Sequence, residues 1–344
     1  MDATTVGIDL AKNVFEIALG DERGHIFERH RLSRARFDRF FVNRTPCRIV
    51  MEACGSAHHH ARRLRDQGHE VCLLPAQYAR AYVRRNKTDA ADAAALIEAA
   101  RCPDIRPVPI KSVDQQALQQ LHRLRSQWMA ARTARINFLR GCLREFGVCI
   151  PIGAQRAIQS VREALANPDS PVPTLLHPSL LELLAEIESL EQRCKHIERE
   201  LARLNEHDPI VERLLQIPGV GPLTATALRA SVVDVQRFPS ARHFASWLGI
   251  TSRECSSGER RRLGRISKQG DPYLRTLLIH GARAVLLAAR SAQRRGSSLD
   301  RLRTWALDVQ QRRGHNKAAV ALANKLARIV WATWRFERDF RSKL

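Results

Sequence analysis

The sequence predicts an α/β N-terminal domain, a long helical middle and a mainly helical C-terminal domain, and three patterns predict it. β-like runs follow one another over residues 4–32. Strand-like and helix-like segments then alternate as far as Arg101. Beyond Pro109 apolar residues recur at helical spacing.

The first two strands are rich in Val and Ile, at 6–10 and 14–19, and a third, 25–32, follows the turn Asp21-Glu-Arg-Gly24, which makes a three-stranded meander. A short helix at 33–42, a strand at 48–53, a helix at 56–67 closed by Gly68, a strand at 71–75 and a helix at 88–101 come next. Antiparallel strands followed by alternating strands and helices predict a domain of ribonuclease-H type. Over 113–147, Leu121, Leu124, Trp128, Ile136, Leu139, Leu143 and Phe146 keep helical spacing, with Arg125, Arg132, Arg135, Arg140 and Arg144 between them. One long basic helix is expected there, with Arg125 and Arg132 as phosphate contacts. The Pro-rich stretch 167–173 separates it from a second helix, 179–204. There Leu180, Leu183, Ile187, Leu190, Cys194, Ile197, Leu201 and Leu204 alternate steps of three and four. This heptad seam serves either an intramolecular pair with the first helix or an intermolecular coiled coil. Leu215-Gln-Ile-Pro-Gly-Val-Gly-Pro222 before an apolar helix at 223–233 reads as a helix-hairpin-helix-like loop, in which Gly219 and Gly221 let backbone N–H groups approach a phosphate; the alternative is a tight turn. The expected domains are 1–108, 109–208 and 209–344.

At roughly 150 residues per domain, 344 residues exceed a mini-scaffold and suffice to bury a sizeable core. The 57 Lys and Arg outnumber the 35 Asp and Glu by 22, which favours polyanionic partners, nucleic acid first. From Thr251 onward 22 Lys and Arg stand against 7 Asp and Glu, so a net +15 lies in the last quarter. An acidic membrane surface competes poorly: there is no run of about 18 apolar residues, and Met1-Asp2-Ala3-Thr4 does not open a leader peptide. A soluble, unexported chain is expected. The eight cysteines form no Cys-x-x-Cys pair and are expected as reduced buried thiols. Aromatic residues at 6% argue against a base-stacking surface, so binding should be electrostatic.

Two acidic residues stand in apolar strands: Asp9 in Gly7-Ile-Asp-Leu10 and Glu52 in Ile49-Val-Met-Glu-Ala53. A carboxylate there is costly unless it meets a cation. Asp89 and Asp92, three apart in a helix, project from nearly one face. Together the four suggest a magnesium or manganese site; the plainer reading is strand-end hydrogen bonding and helix-start acidity. The second constellation is Cys255-Ser256-Ser257-Gly258 followed by Arg260, Arg261, Arg262, Arg265 and Lys268. A serine hydroxyl on a flexible turn among guanidinium groups suits phosphoryl transfer, although arginine cannot deprotonate it and a polar phosphate-holding loop would look the same. His58-His59-His60 cannot converge on one ion from a helix, because adjacent positions point about 100° apart.

Gly7-Ile-Asp-Leu-Ala-Lys12, Met51-Glu-Ala-Cys-Gly-Ser56, Lys87-Thr-Asp-Ala-Ala-Asp-Ala93, Ile217-Pro-Gly-Val-Gly-Pro222, Ser256-Ser-Gly258 and Gly264-Arg-Ile-Ser-Lys-Gln-Gly-Asp271 occur in that order. In this the chain resembles the DEDD transposases of bacterial insertion sequences, the IS110 family, over nearly its whole length, and the IS1111 subgroup within it. The resemblance implies a RuvC-like domain whose acids are Asp9, Glu52, Asp89 and Asp92, and a C-terminal transposase domain with a serine nucleophile, Ser256 first and Ser257 second. It also implies a noncoding bridge RNA that pairs with donor and target DNA. One departure is Glu259-Arg260, where many relatives have Gly-Lys. Recombination handles several strands together, so a homodimer or tetramer is expected in the bacterial cytoplasm at the nucleoid, with the seam as its contact. The rivals are a metal-dependent junction endonuclease that uses water, a non-catalytic nucleic-acid binder, and an actin-like ATPase, for which no second phosphate loop is present.

Overall fold

The computed structural model describes residues 4–83 and 88–341, and the chain divides into two compact units, Met1–Ser112 and Val113–Leu344. Lys87 of the acidic motif and Met1 to Ala3 lie outside the described residues.

The first unit contains β1 (Thr5–Leu10), β2 (Val14–Gly20), β3 (Ile26–Ser33), α1 (Arg34–Phe40), β4 (Arg48–Glu52), α2 (Ala57–Asp66), β5 (Glu70–Leu74), α3 (Ala76–Ala79), a 3-10 turn Arg80–Tyr82, and α4 (Asp89–Ala100). The sheet order is β3-β2-β1-β4-β5, antiparallel among the first three strands and parallel from β1 to β4 to β5. This mixed sheet agrees with the domain type the sequence predicts. Because side chains alternate across a strand, each strand feeds two cores. Val6, Ile8, Phe15, Ile17, Ile49 and Met51 meet Phe37, Phe41 and Leu64 on one face. On the other face Ala18, Val50, Cys72 and Leu74 meet Ala93, Leu96, Ile97 and Ala99 of α4. Gly7 sets how closely α4 approaches: a Cβ there would lie 2.2 Å from the Ala93 carbonyl oxygen, so only glycine lets the alanine-rich helix rest on β1.

The second unit contains α5 (Val113–Glu145), α6 (Ala154–Ala166), α7 (His177–Leu204), α8 (Pro209–Leu215), α9 (Pro222–Ser231), α10 (Ala241–Trp247), β6 (Ser252–Glu254), β7 (Leu263–Ile266), α11 (Pro272–Arg294), α12 (Arg301–Arg313) and α13 (His315–Arg335). The side chains of Asp208, Ser240, Asp271 and Asp300 accept backbone N–H bonds at the starts of α8, α10, α11 and α12. α5 and α7 lie against each other antiparallel: Arg125 pairs with Glu198 at 2.7 Å, Arg132 with Glu191, and Arg135 with Glu186 at 2.6 Å. Leu180, Leu184, Ile187, Leu190, Cys194, Ile197 and Leu201 are buried along α7. The predicted seam needs correcting at its ends. Leu184 is buried where Leu183 was expected, and Leu204 is 55% exposed. A straight helix drifts by about 20° per heptad from a 3.5 repeat, which rotates the outermost positions off the contact. A separate core joins α8 to α13 around Leu228, Phe244, Leu278, Leu322 and Trp331.

All eight cysteines are free, but only Cys47, Cys72 and Cys194 are buried, while Cys149 and Cys255 are exposed, which corrects the expectation of uniformly buried thiols. Among the described residues no helix is long and apolar enough to cross a membrane.

Candidate functional site

Three carboxylates converge in the first unit. Asp9 follows Gly7 by two residues on β1 and Glu52 follows Val50 by two on β4, so both belong to the face that α4 covers. Ile8 pairs with Met51 in the parallel register, which brings the two acids to neighbouring strand ends. On α4, the Thr88 hydroxyl accepts from the Ala91 N–H at 3.2 Å and starts the helix, and Arg29 of β3 donates to the Ala90 carbonyl at 2.7 Å. This fixes the first turn, which carries Asp89 and Asp92. Oxygens of Asp9, Asp89 and Asp92 lie within 4.8 Å of one another. Glu52 stands outside that group of three. It lines, with Asp9 and Asp92, a cavity of about 420 Å³ that Ala76, Ala79, Arg80, Val83 and Leu96 complete. Arg80 carries no signal in the sequence; it reaches the wall because α3 and the 3-10 turn after β5 pack against α4.

The acids fit a hard divalent cation. Such an ion takes several carboxylate oxygens at one point, and the Asp92 Oδ1 atom is buried with no hydrogen-bond partner among the described residues. A buried acceptor left so is expensive unless a ligand completes it. The histidine tract takes separate directions. His58 accepts from the Lys111 N–H at 3.2 Å, whereas His60 is buried against the Phe15 and Phe37 rings; burial first, then neighbouring positive groups, lowers each to about 4.

In the second unit β6 and β7 form an antiparallel hairpin where the sequence predicts a flexible turn. Cys255 N–H donates to the Arg262 carbonyl at 2.9 Å, and Ser257 and Arg260 exchange main-chain bonds at 3.3 and 3.2 Å around a turn with Gly258 at φ 55°. The Ser256 hydroxyl donates to Glu254 Oε1 at 2.8 Å and accepts from the Arg262 N–H at 3.1 Å. Arg261 Nε lies 3.4 Å from the same Glu254 oxygen. Arg260, Arg262 and Arg265 are exposed, and among the described residues no carboxylate pairs with them. Lys268 is exposed one step beyond, its N–H held by the Gly249 carbonyl. Glu254 carries no signal of its own in the sequence; it ends β6 two residues before Ser256, and its contact with that hydroxyl is seen only in the fold.

Three residues expected at a nucleic acid, Arg125, Arg132 and Gly219, meet partners inside the second unit. Arg125 and Arg132 are 16% and 15% exposed and engaged by Glu198 and Glu191, so their charge is neutralised within the helix pair. Gly219 has φ 84° and packs on α11: a Cβ on Gly219 would lie 2.7 Å from the Gly281 carbonyl oxygen, and one on Gly281 1.9 Å from that of Gly219. Its smallness serves a backbone crossing. Gly221, at the start of α9, has open space around it.

Residues 6–148 match the pattern of DEDD transposases of IS110 type, described as "Transposase", and residues 211–296 match the one described as "Transposase IS116/IS110/IS902 family". A "Probable family 20 transposase" of Pseudomonas aeruginosa is 43% identical over 99% of both chains. The transposase of insertion sequence element IS1111A from Coxiella burnetii is 36% identical over 99% of this chain and 92% of its own. That of IS1328 from Yersinia enterocolitica is 36% identical over 96% of each.

Proposed function

The chain belongs to the IS116/IS110/IS902 family of insertion-sequence transposases, and from that premise we propose that it cuts and rejoins DNA with a cation-binding acid cluster and a serine nucleophile. The observation that carries the reading is the convergence of Asp9, Asp89 and Asp92, in which the buried Asp92 Oδ1 has no hydrogen-bond partner among the described residues. With Glu52 on the cavity wall, these residues would hold magnesium or manganese. Such an ion, when bound, supplies Lewis-acid stabilisation of charge on a scissile phosphate. The protein's own groups do the rest. Ser256, the preferred nucleophile over Ser257, attacks phosphorus and conserves the bond energy in a phosphoserine link until strands are exchanged. The exposed Arg260, Arg262, Arg265 and Lys268 hold phosphate oxygens, as do backbone N–H groups near Gly221.

By function we divide the chain into 1–108 for the acid site, 109–208 for the helical middle and 209–344 for the serine and the main polyanion surface. Bridge RNA, donor DNA and target DNA are the proposed partners of an oligomer in the cytoplasm, supported by the +15 after Thr251.

Two substitutions test the reading. In Asp9→Asn and in Asp92→Asn, calorimetric titration of magnesium or manganese into the DNA-bound protein should lose its heat signal, and recombination of a plasmid carrying the element should stop. Undiminished binding and recombination in both would sink the cation site. A covalent protein–DNA adduct on a denaturing gel, absent in Ser256→Ala, supports the serine. Cleavage retained without any adduct in Ser256→Ala and Ser257→Ala would instead favour water as nucleophile.

A further inference from the structure

Arginine cannot take a proton from serine, so a serine nucleophile set among guanidinium groups needs a base of another kind. The hairpin supplies one. We infer that Glu254 is the proton acceptor for Ser256, a role that rests on Ser256 being the nucleophile.

Three contacts carry the assignment. The Ser256 hydroxyl has one hydrogen and two lone pairs. The hydrogen is directed at Glu254 Oε1, 2.8 Å away. One lone pair is occupied by the Arg262 N–H at 3.1 Å. The second lone pair is left to meet an electrophile, so the hairpin fixes both where the proton goes and which side of Oγ attacks. Arg261 Nε, 3.4 Å from the same carboxylate oxygen, keeps Glu254 oriented; exposed pairs of this kind add little stability, and orientation is what it provides. The β6–β7 register sets these distances. The Cys255 N–H bond to the Arg262 carbonyl lies between Glu254 and Ser256 on one side and places the Arg262 amide opposite them. Ser257, by contrast, is tied to Arg260 through main-chain atoms, and among the described residues no carboxylate bonds its hydroxyl.

The step balances without an outside reagent. The Oγ–H bond breaks and its proton passes to the Glu254 carboxylate. The Oγ–P bond forms as the bond from phosphorus to the leaving sugar oxygen breaks. That oxygen takes a proton from water, and Glu254 returns its own to solvent. Resealing runs the same path backwards, with the glutamate reprotonating Oγ as the sugar hydroxyl attacks phosphorus.

Glu254→Gln is the discriminating variant, because the amide oxygen still accepts the hydroxyl and keeps the hairpin, while the basicity is gone. The purified full chain, its element's own RNA transcript and a plasmid carrying that element are mixed, and adduct is counted on a denaturing gel across about pH 6 to 8.5. The wild type should form adduct at a nearly level rate over this range. Glu254→Gln should fall by about 10²- to 10⁴-fold near pH 7 and then rise about tenfold per pH unit, as hydroxide replaces the carboxylate. Glu254→Asp should recover part of the rate. Circular dichroism and binding of the plasmid, unchanged in all variants, show that the fold is intact. A wild-type rate in Glu254→Gln, or a lowered rate with the wild-type pH profile, would overturn the assignment while Ser256→Ala still lacks adduct. If Ser256→Ala keeps its adduct, the serine reading fails instead, and the two failures are told apart.

Discussion

Single atoms at Gly7 and His122 decide how two parts of the fold hold together. At Gly7 a methyl group would lie 2.2 Å from the Ala93 carbonyl oxygen, on backbone that cannot swing aside. Gly7→Ala should therefore lift α4, cost about 1–3 kcal/mol as overpacking does, and weaken cation binding by Asp9, Asp89 and Asp92, read from the urea midpoint and from calorimetry. Unchanged values for both would mean that α4 has room to shift. At His122 the ring is buried, with Nδ1 3.0 Å from the Tyr273 hydroxyl and Nε2 3.1 Å from Thr226 Oγ1, so it ties α5 to α11 and α9. Burial, then the Arg125 charge, lowers its pKa to about 4. The ring is neutral in the fold and protonates more readily when unfolded. Its stabilising share is thus present above about pH 6.5 and lost as pH falls toward 4, up to about 3 kcal/mol in all. Thermal melts over that range should show the loss, and His122→Gln should flatten it. The acids at Asp9 and Glu52 were legible in the sequence because a carboxylate inside an apolar strand breaks the pattern around it. Glu254 was not, because nothing apolar frames a strand exposed on both faces.

Helices and strands were legible in proportion to how much apolar surface they bury. β1, β4 and β5 are runs of Val, Ile and Leu covered on both faces, and the predicted ends of all three fall within a residue or so of the observed ones. The β6–β7 hairpin, Ser252–Glu254 with Leu263–Ile266, is polar and mostly exposed, so its pairing rests on main-chain bonds that leave no periodic trace. α6 went unread because it follows Pro151 and Gly153 and buries only Ala157 and Val161. α7 shows the limit of pattern reading: the heptads gave its axis and its buried side but could not say whether the facing helix belongs to the same chain. The antiparallel ion pairs with α5 cover that side within one chain. Each buried leucine there contributes about 1.5–3 kcal/mol. Leu190→Glu combined with Ile197→Glu should accordingly unfold the helix pair, with helical circular dichroism reduced. A fully helical variant whose mass by light scattering has dropped would give the seam to a second copy of the chain instead.

Across the whole molecule the charge is uneven, and this asymmetry determines how the protein should respond to salt. Of the net +22, +15 lies after Thr251, whereas the largest set of acid–base pairs in the helical middle is internal to α5 and α7. Phosphate binding should thus depend on arginines that no carboxylate engages. Among the described residues Arg260, Arg262 and Arg265, all exposed on the β6–β7 hairpin, are such residues. Each phosphate neutralised on a duplex releases counterions and steepens the fall of log K with log salt by about 0.9. Replacing all three by alanine should reduce that slope by about 2.7 on a random-sequence duplex, measured by fluorescence anisotropy between about 50 and 200 mM salt. Arg125→Ala with Arg132→Ala should leave the slope unchanged, because those guanidiniums are already paired with Glu198 and Glu191. The internal control matters, since any loss of positive charge weakens long-range attraction a little. If the paired arginines flatten the slope and the hairpin arginines do not, DNA lies along the helical middle, and the serine hairpin is not where phosphate is held.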